Sequence, residues 1–293
     1  MGDQQIGSGL SEGERRWLHE ANAAAAAFYR EELLRAAPKW PVEVLERWHV
    51  EEVLHPDSAW LIGYAPDSGT RLIGHLENRG FERDTLMRAG LVSWTGDGRV
   101  VDRYQDQLVV VSRDQRLDPV GFVGIDRDGQ ATVITPETAI HRPSESLIGL
   151  LEQVDALKAG AMAVMVDHPL DAIGVQLAVS HAGDLQYVGI PTLGLAVSDI
   201  QARMLRQHSV LGRLIVTVPR EIDPAERALE NALALTSAFD HIRIYQRPPG
   251  PLLGHDAQMQ IIADLVVSDQ SSDLSSDSDR DAGLGNEVPG PSL

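Results

Sequence analysis

The chain contains no cysteine. Disulfides, thiolate nucleophiles, iron–sulfur clusters and every cysteine-based zinc site are therefore excluded, and any bound metal must be held by oxygen or imidazole. Long apolar runs are missing too. No stretch approaches 18 consecutive apolar residues, and the opening "MGDQQIGSGLSEGERR" lacks the apolar segment of a signal peptide. No membrane span and a cytoplasmic setting are expected. Positive charge is scarce: 25 Lys and Arg against 43 Asp and Glu give a formal net charge of −18. The segment from Ser268 onward, with six acids against Arg280, accounts for only −5 of it. Such a field repels polyanions, so contact with nucleic acid requires a local basic groove or bound cations. Glycine-rich phosphate loops of the P-loop or dinucleotide-binding type are also absent.

What is present, 293 residues at 43% hydrophobic, suffices for one large or two modest domains. "GERRWLHEANAAAAAFYREELLRAA" has helix-forming composition, with Trp17, Leu18, Ala21, Ala25, Phe28 and Leu33 on one face. Helical segments around 41–54 and 68–89 follow, the second interrupted at Gly80. From Gly98 the pattern changes to β-branched runs between turn clusters such as Asp118-Pro119 and Asp128-Gly129, which predicts a small antiparallel sheet. After about residue 145, strands "AMAVMVDHP", "LQYVGIPTLG", "GRLIVTVPREID" and "HIRIYQR" alternate with helices, one capped by Ser198 and one opened by Pro224. That order implies a largely parallel sheet covered on both faces. The expected organisation is a flexible 1–14, an α+β subdomain over 15–144, an α/β subdomain over 145–250 and an acidic, disordered 251–293.

In open parallel sheets, ligands bind at the carboxyl ends of strands. Asp167 ends the first α/β strand, and Glu221 with Asp223 end the third. If those strands are neighbours, three carboxylates converge; they repel unless a cation intervenes, and an all-oxygen set suits Mg²⁺ or Mn²⁺ rather than zinc. Plainer roles stay open for each acid. Asp223 and Glu226 around Pro224 have the form of a capping box, Glu221 can be solvated charge, and Asp167 can satisfy N–H groups of its loop. None of the ten histidines forms a ligand pair in sequence, and only His168, beside Asp167, carries functional weight.

Longer segments stand in a recognisable order. "LHEANAAAAAFYREELL" precedes "IGYAPDSGTRLIGHLENRGFERDTLMRAGLV", "GRVVDRYQDQLVVVSRDQRLDPVGFVGID" and "TPETAIHRPSESLIGL"; "AVMVDHPLDAIGVQLA", "YVGIPTLGLAVSDIQARML" and "VPREIDPAER" follow. Over residues 15 to 250 the chain resembles the RNA-polymerase core of bacterial DnaG-type primases, above all primase-like TOPRIM proteins of actinobacterial mobile elements. The resemblance implies an α+β N-terminal part with helices and a small antiparallel sheet, then a Rossmann-like α/β TOPRIM subdomain. It also implies RNA primer synthesis on single-stranded DNA. In TOPRIM enzymes a strand-end glutamate acts as general acid/base or metal ligand, and an Asp-x-Asp pair binds the divalent metal that positions phosphates. By position, Asp167 replaces the glutamate, Glu221 replaces the first aspartate and Asp223 keeps the second, with Asp171 and His168 as accessory positions. Arg103 and Arg142 are the implied nucleic-acid or nucleotide contacts. The chain departs from the family where His168 and Glu226 replace glycines, and where Gln107, Ala131, Ile134 and Pro143 replace residues of the family's basic and polar set. The implied cofactor is Mg²⁺ or Mn²⁺, without zinc, since no Cys–His module is readable. Implied partners are single-stranded DNA, nucleotides and replication proteins of a mobile element. The alternative is a catalytically weakened TOPRIM protein serving as a binding or assembly module.

Overall fold

Helix α1 (Glu12–Ala36) runs for 25 residues because no proline interrupts it and its one glycine, Gly13, lies in the first turn. Ser11 starts it: the Ser11 hydroxyl accepts from the Glu14 backbone N–H at 3.2 Å while the Glu14 carboxylate accepts from the Ser11 N–H at 2.9 Å. Leu18, Ala21, Ala25, Phe28 and Tyr29 form its buried face. The small residues let α1 lie close to the sheet beneath, and at Gly63 even a Cβ would collide with the Tyr29 backbone. The computed structural model describes residues 10–36, 39–182, 187–219 and 234–247.

After α1 come α2 (Lys39–Arg47), a 3₁₀ turn (Glu51–Leu54), β1 (Ile62–Ala65), α3 (Arg71–Glu77), α4 (Arg83–Arg88) and the hairpin β2 (Val92–Trp94) and β3 (Val100–Asp102). The segment read as helical over 41–54 stops at Arg47 because His49 takes the left-handed conformation, with φ 54°. The break at Gly80 is real, at φ 91°. Strands β1 and β2 were not anticipated. β1 is buried along its whole length, so it lacks the two-residue alternation that marks a half-exposed strand. Then β4 (Gln107–Arg113), β5 (Pro119–Ile125), β6 (Ala131–Ile134) and the short β7 (Leu147–Ile148) complete an antiparallel sheet in the order β1-β4-β5-β6, with β7 paired to the end of β4.

Two adjacent residues knit this region together. The buried carboxylate of Asp102 accepts from the backbone N–H groups of Leu72 at 2.8 Å and Ile73 at 3.0 Å, the exposed donors of the first turn of α3. Arg103 reaches the other way, donating to the carbonyls of Gly90 at 2.7 Å and Val92 at 3.0 Å. One dipeptide thus fixes both α3 and the α4–β2 corner.

The second half alternates as expected: α5 (Leu150–Lys158), β8 (Met162–Val166), α6 (Pro169–Ala182), β9 (Tyr187–Pro191), α7 (Asp199–His208), β10 (Arg213–Pro219) and β11 (His241–Arg247). Ser198 caps α7 through a full capping box with Gln201. The four strands are parallel in the order β9-β8-β10-β11. The helix expected from Pro224 is described only at its end, where residues 234–236 are helical, and the acidic segment 251–293 lies outside the described residues. No described helix is long and apolar enough to cross a membrane.

β8 belongs to two cores at once. Met162, Val164 and Val166 pack with Tyr64, Leu108, Val123 and Ile125 of the antiparallel sheet, whereas Ala163 and Met165 face Leu150, Leu157, Leu205 and Phe239. The apolar run without alternation is the sequence trace of that double burial. Gly189 of β9 lies so close to α6 that a Cβ would overlap the Ala172 backbone. Gly189→Ala is expected to cost about 1–3 kcal/mol through overpacking, read as a lower urea midpoint at unchanged slope.

Candidate active site

The sheet order reverses at β8: the chain steps outward to β9, then returns to the other side of β8 as β10. Such a switch point opens a crevice at the carboxyl ends of the two central strands. Asp167 follows the last residue of β8 and lies in that crevice, half-buried. The condition set by the sequence is met as far as the described residues go, because β8 and β10 are direct neighbours, with Met165 opposite Val216. Glu221 and Asp223 themselves fall outside the described residues.

Around Asp167 the donors are oxygens. Thr192, just past β9, donates its backbone N–H to the Val166 carbonyl at 2.8 Å, and its hydroxyl lies 3.5 Å from Asp167 Oδ1. The Thr217 hydroxyl of β10 donates to the Met165 carbonyl at 2.9 Å. Met165, Asp167, Thr192, Val197 and Thr217 line a niche of about 10 Å³, the size of one water. The turn after β9 is strained: Leu193 at φ 57° and Gly194 at φ 69° are consecutive left-handed residues, closed by the Leu195 N–H on the Thr192 carbonyl at 3.1 Å. A leucine there holds an unfavourable backbone beside the carboxylate, as functional loops often do.

The other sequence candidates occupy varied places. His168 opens α6: its Nδ1 accepts from the Leu170 N–H at 3.1 Å, and its ring stacks on Trp48 with centroids 4.6 Å apart. Burial drives its pKa down to about 4, so the imidazole is neutral at pH 7. Asp171 is fully buried in the first turn of α6. Arg103 is the half-buried clasp described above. Arg142 is exposed and paired with Glu145 at 3.0 Å and Glu137 at 3.5 Å, contacts that raise its pKa. It lines a cavity of about 530 Å³, and Asp167 is absent from that cavity's wall.

Between the two sheets runs a cleft of about 220 Å³ that reaches Met165 and Thr192. Val123, Ile134, Pro143, Leu195 and Val197 form much of its wall, with Ser112, His141, Ser144, Ser146, Thr192 and Gln201 as polar members.

A family model for the DNA primase catalytic core, N-terminal domain, matches residues 28–153. The DNA primase of Deinococcus radiodurans is 28% identical over 77% of this chain and 43% of its own length. That of Mycolicibacterium smegmatis is 35% identical over 57% of this chain and 26% of its own length. Among solved structures, the RNA polymerase domain of Mycobacterium tuberculosis primase DnaG superposes with a TM-score of 0.64 at 25% identity, covering 84% of this chain and 79% of that one. A DnaG primase catalytic domain bound to single-stranded DNA gives a TM-score of 0.67 at 22% identity, over 82% and 76%. The chain carries a divergent DnaG-type primase core. It spans less than half the length of the two curated primases named here.

Within this primase core, sequence reading did not see the niche at Thr192 and Thr217 or the left-handed pair Leu193-Gly194. The signal available was "TLG" directly after a strand, legible only once β9 is known to flank β8. His141, in the cleft wall, is 2% exposed; its Nδ1 donates to the Pro136 carbonyl at 3.1 Å and its Nε2 faces the Ser146 hydroxyl at 3.3 Å. Burial lowers its pKa, outweighing the Pro136 hydrogen bond and nearby Glu137. With the folded-state pKa below the unfolded value of about 6.5, the unfolded chain binds more protons as pH falls, so this stabilisation is present above pH 6.5 and is lost below it. Urea unfolding from pH 7 to pH 5 is expected to show a steeper loss of stability for the native sequence than for His141→Gln.

Proposed function

We propose that this primase core is a Mg²⁺-dependent nucleotidyltransferase that makes RNA primers on single-stranded DNA, with Asp167, Glu221 and Asp223 as its metal-binding carboxylates. The observation that carries the reading is the parallel pairing of β8 with β10, which brings the strand preceding Glu221 and Asp223 alongside the strand ending in Asp167. The described donors fit the ion: a half-buried carboxylate, a threonine hydroxyl and room for one water make an all-oxygen set, which favours Mg²⁺ or Mn²⁺. When bound, such an ion supplies charge neutralisation for transferring phosphoryl oxygens. Asp167 would hold it, Thr192 would orient the Asp167 carboxylate, and the Leu193-Gly194 turn would keep both at the sheet edge. Asp171 and His168 act as positioning residues by fixing the first turn of α6. Arg103 and Arg142 are the nearest counterparts of the family's nucleic-acid contacts, and the setting for such chemistry is the cytoplasm, alongside replication proteins of a mobile element.

A second reading has its own support. The apolar wall of Val123, Ile134, Pro143, Leu195 and Val197 offers little to a phosphate, and both candidate arginines are engaged by protein groups. On that reading the fold is retained as a binding or assembly module. Primer synthesis on single-stranded DNA with ribonucleotides separates the two. Active enzyme is expected to yield short RNA under Mg²⁺ or Mn²⁺, with Asp167→Asn lowering the rate by about 100-fold or more. No product under Mn²⁺, with replication partners supplied in trans, leaves only the module.

A further inference from the structure

Away from the residues that line the Asp167 niche, α1 and the β4–β5 turn bring His19, Asp114 and Asp118 together. One ligand-capable atom from each lies within 4.8 Å of the others, and all three side chains are half-buried. Tetrahedral ligation at about 2.1 Å places ligand atoms roughly 3.4 Å apart, so modest side-chain rotations close the trio on an ion.

Two of the three are already oriented. His19 Nδ1 faces the Pro119 carbonyl at 3.3 Å; donating there, it leaves its lone pair on Nε2, the arrangement by which carbonyls set metal-binding imidazoles. Asp114 Oδ1 accepts from the backbone N–H groups of Arg116 at 2.8 Å and Asp118 at 3.0 Å, which fixes that carboxylate. Two acids 4 residues apart in one turn, with no arginine or lysine paired to either among the described residues, repel one another. An ion relieves that repulsion.

The donor set selects the ion. One imidazole with two carboxylates favours zinc-like borderline ions over the all-oxygen preference of Mg²⁺. Three protein ligands leave a fourth position open, as in zinc sites that bind a ligand rather than merely hold a fold. His19 and Asp114 line a cavity of about 530 Å³, a volume that suits a small organic ligand. Arg15, one helical turn before His19, Arg116 and Arg142 line the same cavity, and Glu145 is its second carboxylate. Arg15 and Arg116 make no ion pair among the described residues, although the chain carries a net charge of −18.

We propose that His19, Asp114 and Asp118 bind one Zn²⁺-class ion whose open position, together with Arg15 and Arg116, takes a phosphate-bearing small molecule. The site shares no residue with the Mg²⁺ site proposed above. It modifies the expectation of no zinc, which rested on the missing cysteines.

Zn²⁺ titrated calorimetrically into the full chain is expected to fill one site with micromolar affinity. His19→Ala and Asp118→Asn should each weaken it on the order of 100-fold, while Asp167→Asn leaves it unchanged. Binding that survives both ligand variants, or that vanishes with Asp167→Asn, overturns the assignment. With Co²⁺ as a coloured substitute, added pyrophosphate should shift the visible bands, and the Arg15→Ala/Arg116→Ala pair should weaken that response by at least about tenfold. A Co²⁺ spectrum indifferent to pyrophosphate overturns the anion part.

Discussion

The double burial of β8 is the constraint on which the rest of the structure depends. Its odd and even side chains enter different hydrophobic clusters, one shared with the antiparallel sheet and one closed by α5 and α7. Neither face tolerates a polar residue, and neither half of the chain can shift without opening both cores. The strand therefore ends at a fixed height, and Asp167 is delivered to the crevice between β8 and β10 by packing far from the carboxylate. The apolar side chains determine where the charge sits.

The same economy explains the Asp102-Arg103 pair. Asp102 closes the N-terminus of α3 and Arg103 holds the carbonyls of Gly90 and Val92. Both residues can be retained for architecture alone. Gln107 bonds Thr132 at 3.0 Å, and Pro143 opens a 3₁₀ turn beside the cleft between the sheets. Asp106, at φ 51°, accepts from Trp40 at 3.0 Å, Tyr64 at 2.9 Å and Arg127 at 2.7 Å, tying α2, β1 and the β5–β6 turn. The Arg127 guanidinium, a charge of the sign that attracts a polyanion, is used here to join the protein to itself.

Two sites of the molecule therefore differ in electrostatic character. The crevice at the sheet switch point has oxygen donors and an apolar approach, while the α1 site has an imidazole, two acids and, in Arg15 and Arg116, two arginines without an ion pair among the described residues. A strongly acidic chain can concentrate an anion only where local cations outweigh the global field. Arg15 and Arg116 stand there against Asp114, Asp118 and Glu145, so the proposed ion would supply the excess positive charge, and Arg142 is held by Glu137 and Glu145.

Apart from β1 and β2, the order of the described elements is legible in the chain itself, as are the candidate carboxylates. Periodicity, Ser198 and Gly80 are local signals, and the helix–strand alternation after residue 145 implied a parallel sheet whose strand ends matter. Tertiary structure alone decided which ends meet. That β8 neighbours β10, that His168 is a neutral ring stacked on Trp48, and that His19 lies beside Asp114 and Asp118 are consequences of contacts spanning from about 50 to 120 residues. Periodicity reports which face of an element is apolar, but not which distant face covers it. β1 and β2 were missed for a related reason: a strand buried on both faces or only three residues long has no alternation to read.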